Sequence, residues 1–242
     1  MKRFLFLLIV LLLSSCSNNF LDQQQLQEIH PDKSLIEELI SIREKLDKES
    51  LNSTFKIQFH GQSIVKGIKE KRIKSTLQEY FPKPDFEIIN TARSGLQVPQ
   101  LLPFIEEDIY SHQADVLFFH AYGGTETGEL EKYFEFLDKK FQGKVIIFNH
   151  HLSYPEDKVR NKKLTTLEDL TSIQMEETAK KYKFGFIDVR KEWSTFLDLN
   201  KELKPTDLLR DGIHPNEDGK LVLEWILMEH FTKAINQNKI PQ

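Results

Sequence analysis

The chain has 242 residues, an ordinary length for a single α/β domain. Hydrophobic residues make up 39% of it and include 18 Phe, 6 Tyr and 2 Trp, which is enough for a sizeable core and excludes a wholly disordered chain. Its 33 basic and 37 acidic residues give a formal charge of −4. Because binding to nucleic acid depends on basic side chains, we expect no nucleic-acid partner.

The N-terminus has the features of an export signal. Basic residues at positions 2 and 3 precede an unbroken apolar run, Phe4 to Leu13, which as a helix spans only about 15 Å and is too short to cross a bilayer. The sequence Leu13-Ser14-Ser15-Cys16 then resembles the lipobox of bacterial lipoproteins, in which the cysteine is lipidated and becomes the first residue. Cys16 is the only cysteine of the chain, so an intramolecular disulfide is excluded.

These features predict a signal peptide over residues 1–15 and a lipid anchor at Cys16. The protein would then be a membrane lipoprotein of the bacterial cell envelope, either periplasmic or at the cell surface. The alternative is an ordinary secretory signal with a chance cysteine. The polar residues that follow predict a tether over 16–33, and residues 34–242 are expected to form one folded domain.

The domain is predicted to begin with an amphipathic helix from Ser34 to Lys48, in which apolar residues recur with a period near 3.6. Short apolar runs and helical patterns then alternate. The predicted strands are Phe55–Phe59, Phe86–Ile89, Val116–Phe119, Val145–Phe148 and Phe184–Ile187. The predicted helices are Val65–Phe81, Val98–Tyr110, Glu129–Phe141, Thr166–Tyr182 and Glu217–Asn236. This alternation indicates an α/β fold with a parallel sheet covered on both faces.

Ligands of such sheets bind outside the carboxyl ends of the strands, so the residues that follow each strand are the candidates for chemistry. Ser63 follows the first predicted strand, and Asp211 and His214 precede the last helix in a turn with Gly and Pro. A serine hydroxyl becomes a nucleophile when a histidine takes its proton and a carboxylate orients that histidine. Taken singly, Ser63 also suits a helix N-cap and His214 a turn residue.

Three pieces of sequence resemble the SGNH (GDSL-like) hydrolases: Gly61-Gln62-Ser63, Gly95, and Asp211-Gly212-Ile213-His214-Pro215-Asn216. The resemblance runs from about Phe55 to Phe231. It implies a single flavodoxin-like, three-layer domain with a five-stranded sheet in the order 2-1-3-4-5, and esterase activity without a metal or other cofactor. It also implies that Ser63 is the nucleophile, His214 the general base, Asp211 its orienting partner, and the Ser63 and Gly95 amides two oxyanion donors.

The chain departs from the family pattern at two places. Gln62 stands where the family usually has Asp, a position without a role in proton transfer. The family's Gly-x-Asn after the third strand is replaced by Tyr122-Gly123-Gly124-Thr125, although that Asn normally donates to the oxyanion. Losing one such donor costs about 2.7–4 kcal/mol of transition-state stabilisation. Either a backbone amide of Gly123 or Gly124 or the Thr125 hydroxyl replaces it, or the enzyme is slow.

Other polar residues at the ends of the strands leave alternatives open. Four histidines, His60, His120, His150 and His151, could bind a metal together with Asp211, as in a metal-dependent hydrolase or phosphoesterase, or could be packing residues. Among them, His150 is a candidate for substrate binding, as is Arg93, which could hold an anionic group or be solvated. A catalytically inactive carbohydrate-binding module is the third alternative.

These observations and the resemblance together predict a serine esterase that removes short acyl groups, such as acetyl, from carbohydrate. The loop predicted over residues 152–166 is mostly charged or polar, which suits a hydrated substrate better than a long acyl chain if the loop covers the site. The alternative is a plain surface loop away from the site.

Overall fold

Five parallel strands form the centre of the structure, a computed structural model that describes residues 19–48, 54–154 and 158–237. The strands are β1 (Thr54–Gly61), β2 (Asp85–Asn90), β3 (Val116–His120), β4 (Lys144–Phe148) and β5 (Gly185–Ile187). Their order in the sheet is β2-β1-β3-β4-β5, as the resemblance to SGNH hydrolases implied. The predicted signal peptide and Cys16 lie outside the described residues.

Helices connect the strands and cover both faces of the sheet. They are α1 (Asn19–Asp22), α2 (Lys33–Glu38), α3 (Ile40–Lys48), α4 (Ser63–Lys66), α5 (Glu70–Tyr80), α6 (Val98–Leu101), α7 (Ile105–Asp108), α8 (Glu129–Lys140), α9 (Lys158–Tyr182), α10 (Val189–Leu199) and α11 (Glu217–Gln237). Short 3-10 turns occur at Leu102–Phe104, Tyr110–His112 and Pro205–Leu208.

Two buried clusters of side chains show that the fold has three layers. Successive residues of a strand point to opposite faces, so Phe118 packs into the cluster with Trp193 and Phe231, whereas Phe119 packs into the cluster with Tyr133. Every residue of β3 is buried, as expected for a central strand that is covered on both sides.

Several predicted helices are divided differently in the structure. The predicted helix Ser34–Lys48 is interrupted at Leu39, whose backbone leaves the helical region at φ −94° and ψ 4°. The predicted helix Val98–Tyr110 is a series of short turns, because Pro103 has no N–H to continue a helical ladder. Helix α9 begins at Lys158 instead of Thr166, so most of the segment 152–166 that was expected to be a loop is helical.

Helix α10 was not predicted. Its apolar residues Val189, Trp193 and Phe196 recur at helical spacing and are buried, and its N-cap Asp188 accepts a hydrogen bond from the backbone N–H of Lys191 at 3.1 Å. The apolar periodicity and the N-cap residue of α10 were therefore present in the sequence, directly after β5, the shortest strand.

Part of the predicted tether packs against the domain. Ile29 is buried, and the side chain of Asn200 both accepts a hydrogen bond from the Gln25 backbone N–H at 2.8 Å and donates one to the Gln25 carbonyl at 2.9 Å. Gln27 donates to the Glu192 carbonyl at 2.7 Å. The packed region thus begins before residue 34. Among the described helices, none is both long and apolar enough to cross a membrane.

Candidate active site

Ser63 lies at the carboxyl end of β1, as the first residue of α4. The chain reaches it through Gly61, where a Cβ atom would lie 1.7 Å from the His120 carbonyl oxygen, so only glycine allows β1 to approach β3 this closely. Gln62 follows and donates from Nε2 to the Tyr122 carbonyl at 2.9 Å. These contacts with β3 and the residues after it fix the backbone that carries the Ser63 hydroxyl.

The three residues predicted to form a triad are hydrogen-bonded in series. Ser63 Oγ lies 3.0 Å from His214 Nε2, and His214 Nδ1 lies 2.9 Å from Asp211 Oδ2. The structure therefore brings together all three predicted catalytic residues. The alternative interpretation of Ser63 as a helix N-cap is wrong, since Gln62 occupies that position and the Ser63 side chain contacts His214.

Asp211 organises the turn that presents His214. Its Oδ1 accepts hydrogen bonds from the backbone N–H groups of Ile213 at 3.1 Å and His214 at 2.8 Å, and Arg210 donates to Oδ2 at 3.1 Å. Partial burial raises the pKa of Asp211, but hydrogen bonds from His214, Arg210 and Ile213 outweigh it, and the pKa lies below its ordinary value. Asp211 is thus ionised at neutral pH.

This charge determines which nitrogen of His214 carries the proton. Nδ1 faces the Asp211 carboxylate, which only accepts, so Nδ1 holds the hydrogen and Nε2 has a free lone pair. The Ser63 hydroxyl can then donate to Nε2. A hydroxyl, a neutral imidazole and a fixed carboxylate in this order can carry out nucleophilic attack on a carbonyl carbon.

The residues predicted to bind the oxyanion lie on the loops that follow β2 and β3. Gly95, which has φ +79°, is exposed on the loop after β2. The glycine loop, residues 122–125, follows β3, and the Tyr122 carbonyl accepts hydrogen bonds from both Gln62 Nε2 and the Val98 N–H, the latter at 3.1 Å. Gly123 packs against the Gln97 side chain, and Thr125 is half-buried. The glycine loop is therefore tied to the backbone next to Ser63.

Arg93 forms an ion pair that the sequence did not predict. Its Nε and Nη2 donate to the two carboxylate oxygens of Asp108 at 2.5 and 2.7 Å, and its guanidinium stacks over the Phe104 ring at 4.1 Å. The Asp108 side chain is almost completely buried. Arg93 is therefore not a free cation for a substrate anion, because its charge neutralises a buried carboxylate, although a third of its side chain remains exposed.

The four histidines after the strands are buried, and three of them bond to backbone carbonyls. Nδ1 of His60 lies 3.2 Å from the Thr91 oxygen, Nδ1 of His120 lies 3.0 Å from the Phe148 oxygen, and Nε2 of His151 lies 2.7 Å from the Ile213 oxygen. Burial lowers the pKa of His60 to about 4, that of His151 to about 3, and that of His120 well below its ordinary value. These three are neutral packing residues at pH 7.

The metal-site alternative finds no support in this arrangement. Within the ranges that the structure describes, no group of three or more His, Cys, Asp and Glu residues could hold a metal ion.

His150, a candidate for substrate binding, is also buried, with its Nε2 3.7 Å from Glu168 Oε1 and its ring against His120 and Tyr122. It has no open face toward a substrate.

Two residues hold the turn of His214 through hydrogen bonds to its backbone, a role that was not predicted from the sequence. The Tyr154 N–H donates to the Gly212 carbonyl at 2.7 Å, and His151 donates to the neighbouring Ile213 carbonyl. The pairs are separated by about sixty residues in the chain, and no motif links them.

Comparison with solved structures shows the fold independently. A protein described as a GDSL-like lipase, from Parabacteroides merdae, matches with a TM-score of 0.63 and 17% identity over 76% of this chain and 99% of its own. An acetylxylan esterase from Geobacillus stearothermophilus matches with a TM-score of 0.59 and 16% identity over 76% of this chain and 96% of its own. The acetyl xylan esterase AlAXEase matches with a TM-score of 0.60 and 19% identity over 72% and 98%.

These similarities confirm the fold that the resemblance to SGNH hydrolases implied. Solved catalytic mutants of the Geobacillus enzyme replace a serine, an aspartate and a histidine, and in that enzyme the aspartate precedes the histidine by three residues. No protein-family profile and no curated protein matches the present chain.

Proposed function

We propose that this chain is a serine esterase of the SGNH type. The observation that carries the proposal is the hydrogen-bonded series of Ser63, His214 and Asp211 at the carboxyl edge of the sheet. The similar fold of three solved structures described as lipases or esterases supports it.

The reaction proceeds in two halves. Ser63 Oγ attacks the ester carbonyl carbon while His214 Nε2 takes the hydroxyl proton, and the resulting tetrahedral oxyanion collapses as His214 returns that proton to the departing alcohol. Water then attacks the acyl-Ser63 ester, His214 again takes a proton, and the second collapse releases the carboxylic acid and restores the Ser63 hydroxyl. Asp211 stabilises the imidazolium in both halves.

The oxyanion is stabilised by the backbone amides of Ser63 and Gly95 together with a donor from the glycine loop. The bond from Gln62 to the Tyr122 carbonyl supports this assignment, since it links that loop to the residue before the nucleophile. The Gln62 side chain is occupied by this bond and serves to position the loop.

The substrate in this proposal is an acetyl or other short acyl ester of a carbohydrate. Two of the structurally similar proteins are acetylxylan esterases. The catalytic residues are also open to solvent, with 32% of the His214 side chain and 43% of the Asp211 side chain exposed, as a large hydrated substrate requires.

Acetate release from acetylated xylooligosaccharides tests the proposal, with Ser63→Ala and the exposed Ser41→Ala as matched variants. We expect wild type and Ser41→Ala to release acetate and Ser63→Ala to lose several orders of magnitude of kcat. Undiminished activity in Ser63→Ala, or abolition of wild-type activity by a chelator, would replace the serine mechanism with a metal-dependent one. Glycan binding without any hydrolysis would indicate an inactive carbohydrate-binding module.

Acyl length is tested with aryl esters of increasing chain length. We expect kcat/KM to be highest for acetyl or propionyl, because each methylene buried in an apolar groove contributes about 0.8 kcal/mol and a hydrated substrate requires no such groove. A maximum at about eight carbons or more would point to a lipase-like or thioesterase-like enzyme.

We also propose that Cys16 carries a lipid that holds the enzyme on a membrane of the bacterial cell envelope. Because Cys16 is the only cysteine, incorporation of labelled fatty acid into the chain reports on this residue alone. Wild type should be labelled and sediment with membranes, whereas Cys16→Ala should be unlabelled and released or misprocessed. A soluble wild-type protein with an unmodified N-terminus would contradict the anchor.

A further inference from the structure

His151 is a buried residue close to the proposed catalytic turn, and the reaction itself does not use it. It follows β4, is fully buried, and places Nε2 2.7 Å from the carbonyl oxygen of Ile213, the residue directly before His214. A carbonyl oxygen only accepts hydrogen bonds, so Nε2 must carry the proton. Nδ1 has no hydrogen-bond partner among the described residues. The hydrogen bond of this side chain therefore goes to the backbone of the turn.

The ring of His151 is itself held in place. It packs against the Trp193 indole with the ring centroids 4.8 Å apart, and Trp193 is fully buried in α10. Arg190 Nη1, from the same helix, lies 3.4 Å from the His151 carbonyl oxygen. Two residues before His151, Asn149 donates to Asp188 Oδ1 and Ser172 Oγ, each at 2.7 Å. The donor is thus attached to α9 and α10 through these contacts.

The turn 211–214, which His151 contacts, has few hydrogen bonds to the rest of the described domain. Asp211 and His214 are both partly exposed, and most of the bonds that shape the turn are internal to it, such as those from Ile213 and His214 to Asp211. The segment 151–154 joins the turn to the domain through two bonds, His151 to Ile213 and the Tyr154 N–H to Gly212. One of these bonds ends on the peptide next to the general base.

We infer that His151 is a positioning residue for His214, and that its Nε2–H holds the turn at the distance at which His214 can take the Ser63 proton. Proton transfer requires Oγ and Nε2 to be about 2.6–3.2 Å apart, and the observed 3.0 Å lies within this range. A displacement of about 1 Å in such a group costs on the order of 100-fold in rate. The role of His151 rests on the proposed function, because it acts through His214.

A matched pair of variants separates the hydrogen bond from the packing. His151→Gln places an amide N–H where Nε2–H was, whereas His151→Met has nearly the same length and shape without a donor. Both lose the ring that packs on Trp193, and because Gln is the more costly of the two to bury, a role in packing alone would not favour His151→Gln over His151→Met. The readouts are kcat and KM for an aryl acetate, the rate of Ser63 labelling by a serine-directed phosphonate, and amide hydrogen exchange at Ile213 and His214.

We expect His151→Gln to keep kcat and the labelling rate within a few-fold of wild type. His151→Met should lower both by ten-fold or more with KM unchanged, and should speed exchange at Ile213 and His214 by a similar factor. Equal rates in the two variants, whether both fast or both slow, would overturn the inference. Should His151→Gln fail to fold, His151→Met with wild-type kcat and exchange would overturn it equally.

Hydrogen exchange keeps this test separate from that of the proposed function. If wild type neither hydrolyses esters nor reacts with the phosphonate, the proposed function fails. Exchange at Ile213 and His214 still decides then whether the His151 donor holds the turn, because the measurement needs no reaction. Wild-type exchange rates in His151→Met would overturn that part of the inference.

Discussion

Arg93 and His214 were both candidate site residues, and the groups that face them decide their different roles. His214 lies between the Ser63 hydroxyl and the exposed carboxylate of Asp211. Its contact with Asp211 was predicted from the motif, because the two residues are only three positions apart. Arg93 faces Asp108, which is fifteen residues away on a different element and belongs to no motif. Local spacing thus predicted the pair of Asp211 and His214, and the place of Ser63 after the first strand, with the resemblance to SGNH hydrolases, added the third residue. The partner of Arg93 became visible only when the chain was folded.

The pairing of Arg93 leads to a prediction about stability. Arg93→Ala should lower the Tm by several degrees, because it leaves the Asp108 carboxylate buried without its counter-charge, and adding Asp108→Asn should recover part of the loss. An exposed cation such as Lys74, changed to Ala, is the control and should have little effect. An unchanged Tm in Arg93→Ala, combined with a raised KM for anionic substrates alone, would restore the substrate-binding role.

The glycine loop after β3 leads to a prediction about rate. A valine at Gly123 would place its Cβ 2.7 Å from the Gln97 side-chain oxygen, so the loop must shift and its amides must move. If these amides replace the missing Asn, Gly123→Val should lower kcat by about 10²–10³-fold and Thr125→Val by much less. Gly128→Val is the control, since Gly128 has a similar φ of +84° and open space around it. The opposite order of effects would assign the donor to the Thr125 hydroxyl.

The predicted strands and helices differed in how closely they matched the structure. All five strands were located within two residues, because a strand covered on both faces is a short, continuous apolar run. The helices were harder, since a periodic apolar stripe does not record where a helix is interrupted. The break at Leu39 separates α2 from α3, and both helices remain packed on the core.

The packing of α2 and α3 predicts that the domain cannot fold without them. Their residues Leu35, Leu39, Ile42 and Leu46 are buried in the core cluster that contains Phe231. Burying four such side chains contributes roughly 6–12 kcal/mol, comparable to the total stability of a typical domain. A chain that begins at Thr54 should therefore fail to unfold cooperatively in circular dichroism, with a chain that begins at Asn19 as the reference. Equal Tm values for the two chains would contradict this packing.

The whole molecule should lose stability as the pH falls from 7 to 5. Burial keeps His60, His120 and His151 neutral in the folded state, with pKa values of about 4 for His60, about 3 for His151 and well below the ordinary value for His120. The unfolded chain protonates them near pH 6.5, so it binds more protons and is favoured by up to about 1.4 kcal/mol per histidine and pH unit. Glu38 and Glu224 act in the opposite direction. Burial raises the pKa of both carboxyls, so the folded chain takes up their protons first and is stabilised by them as the pH falls.

Urea denaturation between pH 5 and 7 measures this dependence. We expect the free energy of unfolding to fall toward pH 5, and His151→Gln to flatten the slope by removing one of the three titrating groups. A free energy of unfolding that stays constant over this range, or the same slope in the variant, would contradict the neutral state of these histidines.

The proposed esterase activity depends on Ser63 as a nucleophile that His214 activates. The most direct measurement is treatment of the purified protein with a serine-directed phosphonate, followed by peptide mapping of the adduct by mass spectrometry. We expect one adduct on Ser63 in wild type, no adduct in Ser63→Ala, and labelling slowed by several orders of magnitude in His214→Ala. An unmodified Ser63 in a preparation that hydrolyses esters, or equal labelling in His214→Ala, would contradict it.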